Sequence, residues 1–196
     1  MPIRAASVKY LQPEDVSRVI NEATGIREKA LLAVVYNCGL RRSEVSLLRR
    51  EDFVEARGHA GMLKVKRVKK DGLFEHEIPL WSRTSRLLRD YLATRTDSLD
   101  PLFLSRVRKP FSGQMVYLVF RTIAEGLGFT PDLWHPHVLR HSIGVHLRNM
   151  GIPIDEIREH LGHDDINSTL VYARVLSPVK TRSALLAEHS HHIASF

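Results

Sequence analysis

The sequence predicts a mainly α-helical fold with one small antiparallel β-sheet, an α+β arrangement. Apolar residues recur at spacings of three and four through most of the chain, the mark of helices that bury one face. Residues 63–80 break that rhythm and alternate in the strand manner on either side of an Asp-Gly turn. The 196 residues can bury a real core but are too few for two full domains, and no repeat, low-complexity run or linker divides them.

Taken in order, residues 13–24 read as a short helix. From Ile26 the apolar positions Ala30, Leu31, Val34, Val35 and Cys38 keep helical spacing until Gly39 supplies a stop, which leaves Arg41 just past a helix end. Ser43 has the chemistry of an N-cap for a short helix carrying Val45, Leu47 and Leu48. Strands follow over 63–68 and 73–80, with Phe74, His76, Ile78 and Leu80 on one face and Glu75 and Glu77 on the other. Lys69-Lys70-Asp71-Gly72 joins them, because Asp-Gly tolerates the positive φ angles of tight turns. Helices are then predicted over 82–91, with Leu87, Leu88 and Tyr91 inward, and over 112–127, with Met115, Val119, Phe120, Ile123 and Leu127 as the stripe. A further helix spans 137–150 and stops at Gly151, another starts at Pro153 and stops at Gly162, and a third contains 170–175. Ser177-Pro178 breaks it, and 180–189 is a last, weakly amphipathic helix, so 1–177 is expected to form the body and 178–196 a tail.

Composition narrows the function classes. With 43% hydrophobic and 26% charged residues, a disordered chain, a collagen and a coiled coil are all excluded. A net charge of +7 suits a polyanionic partner. Cys38 has no second cysteine to pair with, so a reducing compartment is expected. The apolar run 30–36 is far shorter than a bilayer span, and the first residues show no signal-peptide core. The expectation is a cytoplasmic protein with no membrane partner.

The chemistry collects in three segments. In HPHVLRHSIGVHLRNMG, His137, Arg140, His141 and Gly144 fall at spacings of three and four and share one helix face. Arginine offers a planar fork to phosphate oxygens, and histidine donates to an oxygen or relays a proton near neutral pH. In LGHDDINSTLVYARV, a glycine-stopped helix leads at once to His163 and then to Tyr172. In GLRRSE, Arg41 is either a surface charge or the partner of Glu44. Each segment alone has an ordinary reading: a solvated helix face, a histidine favouring a helix dipole, a core tyrosine.

In combination and in this order, Arg41 after Gly-Leu, a lysine in a hairpin turn, His-x-x-Arg-His, Leu-Gly-His and a tyrosine nine residues on resemble the catalytic domain of the tyrosine recombinase (phage integrase) family over residues 10–180. The resemblance implies that Arg41 is the first catalytic arginine, His137 and Arg140 the His-x-x-Arg pair, His163 the second histidine and Tyr172 the nucleophile. It implies a hairpin lysine as well, taken as Lys70 because Lys70-Asp71-Gly72 reads Lys-x-Gly, with Lys69 the alternative. Glu44 matches an acidic position that supports the first arginine, and His141 is placed beside it as a second supporting residue. Val138 and Cys38 depart from residues often found in the family, an acidic one and a threonine, and neither departure removes a reacting group.

The implied activity is site-specific recombination of double-stranded DNA through a covalent 3′-phosphotyrosyl intermediate. A phenol of pKa near ~10 needs a nearby base and a charge-compensated electrophile. His137 is the expected proton acceptor, Arg41, Arg140 and His163 the donors to the phosphate, and the lysine the acid for the leaving 5′-oxygen. No metal and no cofactor are expected: His137 and His141 are four apart, but Arg140 between them repels a cation, and His189, His191 and His192 read as a solvated tail. The implied partners are a specific DNA site, further copies of the chain in a dimer or tetramer on DNA, and an accessory DNA-bending protein. Other readings of the same residues are a type IB topoisomerase-like relaxing enzyme and a catalytically silent DNA-binding regulator. Few residues precede the first helix, so no N-terminal DNA-clamp domain is expected, which suits either a short recombinase or a fragment. The tail helix is expected either to dock on a neighbouring protomer or to pack in cis.

Overall fold

The computed structural model describes residues 8–55, 61–69, 72–163 and 167–173. They form α1 (Pro13–Glu22), α2 (Ile26–Asn37), β1 (Phe53–Val54), β2 (Met62–Lys69), β3 (Gly72–Pro79), α3 (Ser82–Ala93), α4 (Gly113–Gly126), α5 (His137–Asn149), α6 (Ile154–Leu161) and α7 (Asn167–Ala173), with short 3-10 turns between some of them. The fold is thus mainly α with one three-stranded antiparallel sheet, in the order β1-β2-β3.

Helix α2 is the axis of the body. Every residue from 30 to 40 is buried, as expected of a helix apolar on all sides, and α1, α3 and α5 pack around it. The Tyr36 hydroxyl, whose acidity burial suppresses, lies 2.6 Å from His146 Nδ1 and ties α2 to α5 inside the core. Leu31 and Val35 of α2, Val116 and Phe120 of α4, Leu139 and Ile143 of α5, and Ile157 of α6 belong to one apolar cluster. Full burial of each such side chain stabilises by roughly 1.5–3 kcal/mol.

Two helix ends are closed in the same way. At α2, Gly39 takes φ +56° while its N–H bonds Tyr36 O and that of Leu40 bonds Val35 O. At α6, Gly162 takes φ +63° while its N–H bonds Glu159 O and that of His163 bonds Arg158 O. This closure needs a left-handed residue, which glycine adopts at no steric cost. It sets the direction in which the chain leaves each helix, towards Arg41 in one case and at His163 in the other.

The sheet follows the predicted alternation for part of its length. Strand β2 turns Leu63, Val65 and Arg67 into the body, and its ladder with β3 runs from Met62 opposite Pro79 to Lys69 opposite Gly72. On β3, Ile78 is buried but Phe74 is exposed. Alternation assigns each residue a face but does not fix how far its side chain is covered: Phe74 stays exposed although Arg67, opposite it on β2, is fully buried. The α4 stripe also differs in detail: Val116, Phe120 and Ala124 are fully buried, while Met115, Val119, Ile123 and Leu127 flank them half-buried. No described helix is long and apolar enough to cross a membrane. The predicted tail helix, and Val175 of the helix before it, lie outside the described residues.

Candidate active site

The chain leaving Gly39 places Arg41 over a fully buried carboxylate. Glu44 accepts from the Arg41 backbone N–H at 2.8 Å and from Arg41 Nη1 at 3.0 Å, and its second oxygen also accepts from Arg67 Nη1 at 2.6 Å. Among the described residues Arg41 Nη2 has a single long contact, 3.5 Å to Gly162 O, and the side chain keeps 34% of its surface exposed, enough to reach an incoming anion.

Helix α5 brings Arg140 up from below. Its Nη1 donates to Gly39 O at 2.5 Å, while its Nη2 is buried and has no hydrogen-bond partner among the described residues. An orphaned buried guanidinium N–H carries a desolvation cost that a bound anion would relieve. Burial first, then Arg67 and Arg41, pull Arg140 down to about 9, a value at which it stays charged near neutral pH. Two guanidinium groups, Arg41 and Arg67, thus share a single carboxylate with a third, Arg140, close by, and the excess charge suits a phosphodiester.

Three histidines border this charge. His163 Nδ1 lies 2.8 Å from the Thr169 hydroxyl, which fixes its ring and frees the other nitrogen. His137 and His141 meet edge to face with centroids 4.5 Å apart. Burial first, then neighbouring cations and imidazoles, hold His141 down to about 4 and His163 to about 3. Burial, Arg140, His135 and Arg41 lower the more exposed His137 as well. All three are therefore neutral at pH 7 and able to accept a proton.

Helix α7 brings Tyr172 into the same place. Its ring stacks on His163 at 6.3 Å and 16°, and its hydroxyl lies 3.0 Å from His141 Nδ1. The ring is only 1% exposed and rests on Gly144, where a Cβ would approach ring carbons to 2.7 Å. Burial pushes the phenol up to about 12, partly offset by Arg140, so it holds its proton at neutral pH within hydrogen-bond distance of His141 Nδ1.

Arg41, Glu44, His137, Arg140, His141, His163 and Tyr172 are thus brought together. Lys70 lies outside the described residues; Lys69 ends the β2 ladder opposite Gly72, two residues beyond Arg67. Arg67 and Thr169 were not singled out from the sequence. Arg67 carried a signal, a charged residue at an inward position of a strand whose other inward residues are apolar. Thr169 carried none. Among the described residues no group of three or more His, Cys, Asp or Glu could hold a metal ion, and His189, His191 and His192 lie outside them.

Comparison with known proteins matches residues 9–177 to the model of the phage integrase family. The chain is 31% identical over 185 residues to tyrosine recombinase XerD of Xanthomonas campestris pv. campestris, covering 88% of this chain and 54% of that protein. It is 30% identical over 177 residues to tyrosine recombinase XerA of Pyrococcus horikoshii, covering 85% and 57%. The chain therefore spans little more than half the length of these curated relatives. Among solved structures, XerA recombinase superposes with a TM-score of 0.75 at 24% identity, covering 98% of this chain and 66% of that one. XerH site-specific recombinase bound to its difH substrate superposes with a TM-score of 0.71 at 20% identity, covering 85% and 50%. At these identities the structural matches speak for the fold.

Proposed function

Because the chain belongs to the phage integrase family, matched over residues 9–177, we propose that it is the catalytic part of a tyrosine-type site-specific DNA recombinase, cutting and rejoining strands through a 3′-phosphotyrosyl intermediate. One observation carries the reading: the buried, unpartnered Nη2 of Arg140 sits in a cluster of cations beside a buried phenol already bonded to a neutral imidazole. Arg41 and Arg140 bind the two non-bridging oxygens of the scissile phosphate, where charge accumulates in the transition state, and His163 adds a donor. The Tyr172 oxygen attacks phosphorus, its proton passes to a histidine, and the 5′-oxygen leaves. His141 is the nearer acceptor by geometry, and it takes the role that sequence alone gave to His137.

Protonation of the 5′-oxygen falls to a hairpin lysine, Lys70 or Lys69. The two lysines are to be tested side by side. The phosphotyrosyl diester keeps the energy of the broken bond, so resealing needs no nucleotide. The related XerH structures hold a DNA substrate and a lambda integrase structure is a dimer on a core site; by analogy this chain acts on a specific DNA duplex as an assembly of copies.

The test begins by sequencing the DNA that flanks the gene for inverted repeats, builds them into a nicked suicide duplex, and scores a covalent protein–DNA adduct. Wild type is expected to form it. Tyr172→Phe is expected to bind the duplex with unchanged affinity and form none. An adduct that persists in Tyr172→Phe refutes the assignment of the nucleophile.

A further inference from the structure

Strand β2 carries a buried charge that the reaction scheme above does not use. Arg67 is fully buried, on the face where its neighbours are Leu63 and Val65. Its Nη2 donates to Cys38 O at 2.6 Å and to His160 O at 2.7 Å; its Nη1 donates to Glu44 at 2.6 Å and, at 3.4 Å, to Gly39 O. Its Nε has no partner among the described residues. A buried ion with an unsatisfied N–H is a poor device for stability alone, since an apolar residue of similar volume often does as well or better.

The partners show what else it does. Cys38 O and Gly39 O lie at the C-terminal end of α2, one residue short of Arg41 with Leu40 between, and His160 O lies in the last turn of α6, separated by Leu161 from Gly162 and His163. Both are places where the helix dipole favours a cation. A Cβ on Gly162 would come within 2.9 Å of the Arg67 Cγ and Cδ, so the turn that delivers His163 is packed directly on this side chain. Arg67 also engages the Glu44 oxygen that receives the Arg41 backbone N–H. Without a second cation, the buried carboxylate would have Arg41 as its sole counter-ion and draw it inward, away from the phosphate.

We propose that Arg67 is the positioning residue of this site: it neutralises and fixes Glu44 so that Arg41 keeps one guanidinium edge free for the phosphate, and it locks the Arg41 and His163 turns to the strand that leads into the lysine hairpin. The inference rests on the recombinase reading.

The experiment measures three quantities on the same suicide duplex: thermal midpoint, DNA affinity, and the single-turnover adduct rate at saturating DNA. The variants are Arg67→Met, Arg67→Lys, Glu44→Gln and the Glu44→Gln/Arg67→Met pair. Arg67→Met is expected to slow adduct formation by about a hundredfold, the scale of one lost preorganised donor, with affinity changed less than about twofold. Arg67→Lys, which restores the charge on Glu44, is expected to recover about tenfold of that loss. In the Glu44→Gln background, Arg67→Met is expected to cost less than about tenfold more, because the part that acts through Glu44 and Arg41 is already lost and only the tie to the His163 turn remains.

Normal adduct rates in folded Arg67→Met overturn the proposal. So does a Lys variant as slow as Met, or a double variant whose loss is the product of the two single ones. If Arg67→Met does not fold, the double variant compared with Glu44→Gln decides, since it removes both buried charges together. Absence of adduct in the wild type would instead defeat the recombinase reading itself.

Discussion

Gly144→Ala tests whether the seat of Tyr172 is as tight as its geometry. The glycine lies inside α5, and a Cβ built there would stand 2.7, 2.8 and 3.0 Å from three carbons of the Tyr172 ring, where ordinary carbon contacts are ~3.5–4.0 Å. The ring must retreat by close to an ångström. It cannot do so freely, being stacked on His163 and bonded to His141. Overpacking of this kind costs about 1–3 kcal/mol, whereas alanine for glycine in a helix interior returns up to about 1 kcal/mol. Global stability should therefore fall by no more than about 2 kcal/mol. The balance between seated and unseated Tyr172 bears the full cost, a shift of about 5- to 150-fold. Nitration of the DNA-free protein, mapped by peptide mass, reads that balance, with buried Tyr36 as an internal reference. Tyr172 nitration should rise by at least fivefold while Tyr36 stays protected. An unchanged Tyr172 rate in a folded variant would show that close approach of the helix does not hold the ring.

Arg41→Ala and Arg140→Ala should each slow single-turnover adduct formation by ~10²–10³-fold, and wild-type rates in either would place the phosphate elsewhere. A 5′-bridging phosphorothiolate, whose sulfur leaves without protonation, should restore cleavage in the lysine variant that lacks the general acid. Rescue of Lys69→Ala but not Lys70→Ala would shift the hairpin assignment by one residue; rescue of neither would remove the hairpin from the chemistry. Acid should destabilise the fold early. His141 and His160 are held down to about 4 and His163 to about 3, against 6.5 when unfolded, so the unfolded chain binds more protons as the pH drops. Their contribution is intact above pH 6.5 and is lost as the pH falls towards 4 and below, which a series of thermal midpoints will show; a flat series down to pH 4 would refute the burial of these rings.

How much of this was legible in the chain depends on the kind of signal. Gly39 and Gly162 announced the helix stops, and with them the exits at Arg41 and His163, because a left-handed closure is a local property of one residue. The partners of those residues were a different matter. Glu44 was readable as a neighbour of Arg41 three positions away, but its second cation, Arg67, comes from a strand 23 residues on, and nothing local relates them. His141 was placed on the right face of α5, yet its bond to Tyr172 depends on how α7 settles across α5, which is tertiary. The inward face of β3 was overestimated at Phe74, since alternation records which residues share a face and not whether anything covers it. In α4 the same spacing described two adjacent stripes, and packing chose the one centred on Val116, Phe120 and Ala124.

The burial of α2 on every side bears on how this protein could be altered. Residues 30–40 have no solvent-facing position at which a substitution could be absorbed, and close-packed interiors transmit even a methylene's worth of volume to their neighbours. The far end of that rod is the turn carrying Arg41, so a cavity or bulge introduced anywhere along it would be read out as a misaimed guanidinium. On the recombinase reading, libraries meant to change the DNA target while keeping activity would do best to leave α2 alone. Diversity belongs on exposed segments such as Arg106, Val107, Arg108 and Lys109, or Gln114 and Leu118, whose side chains face outward instead of into the core.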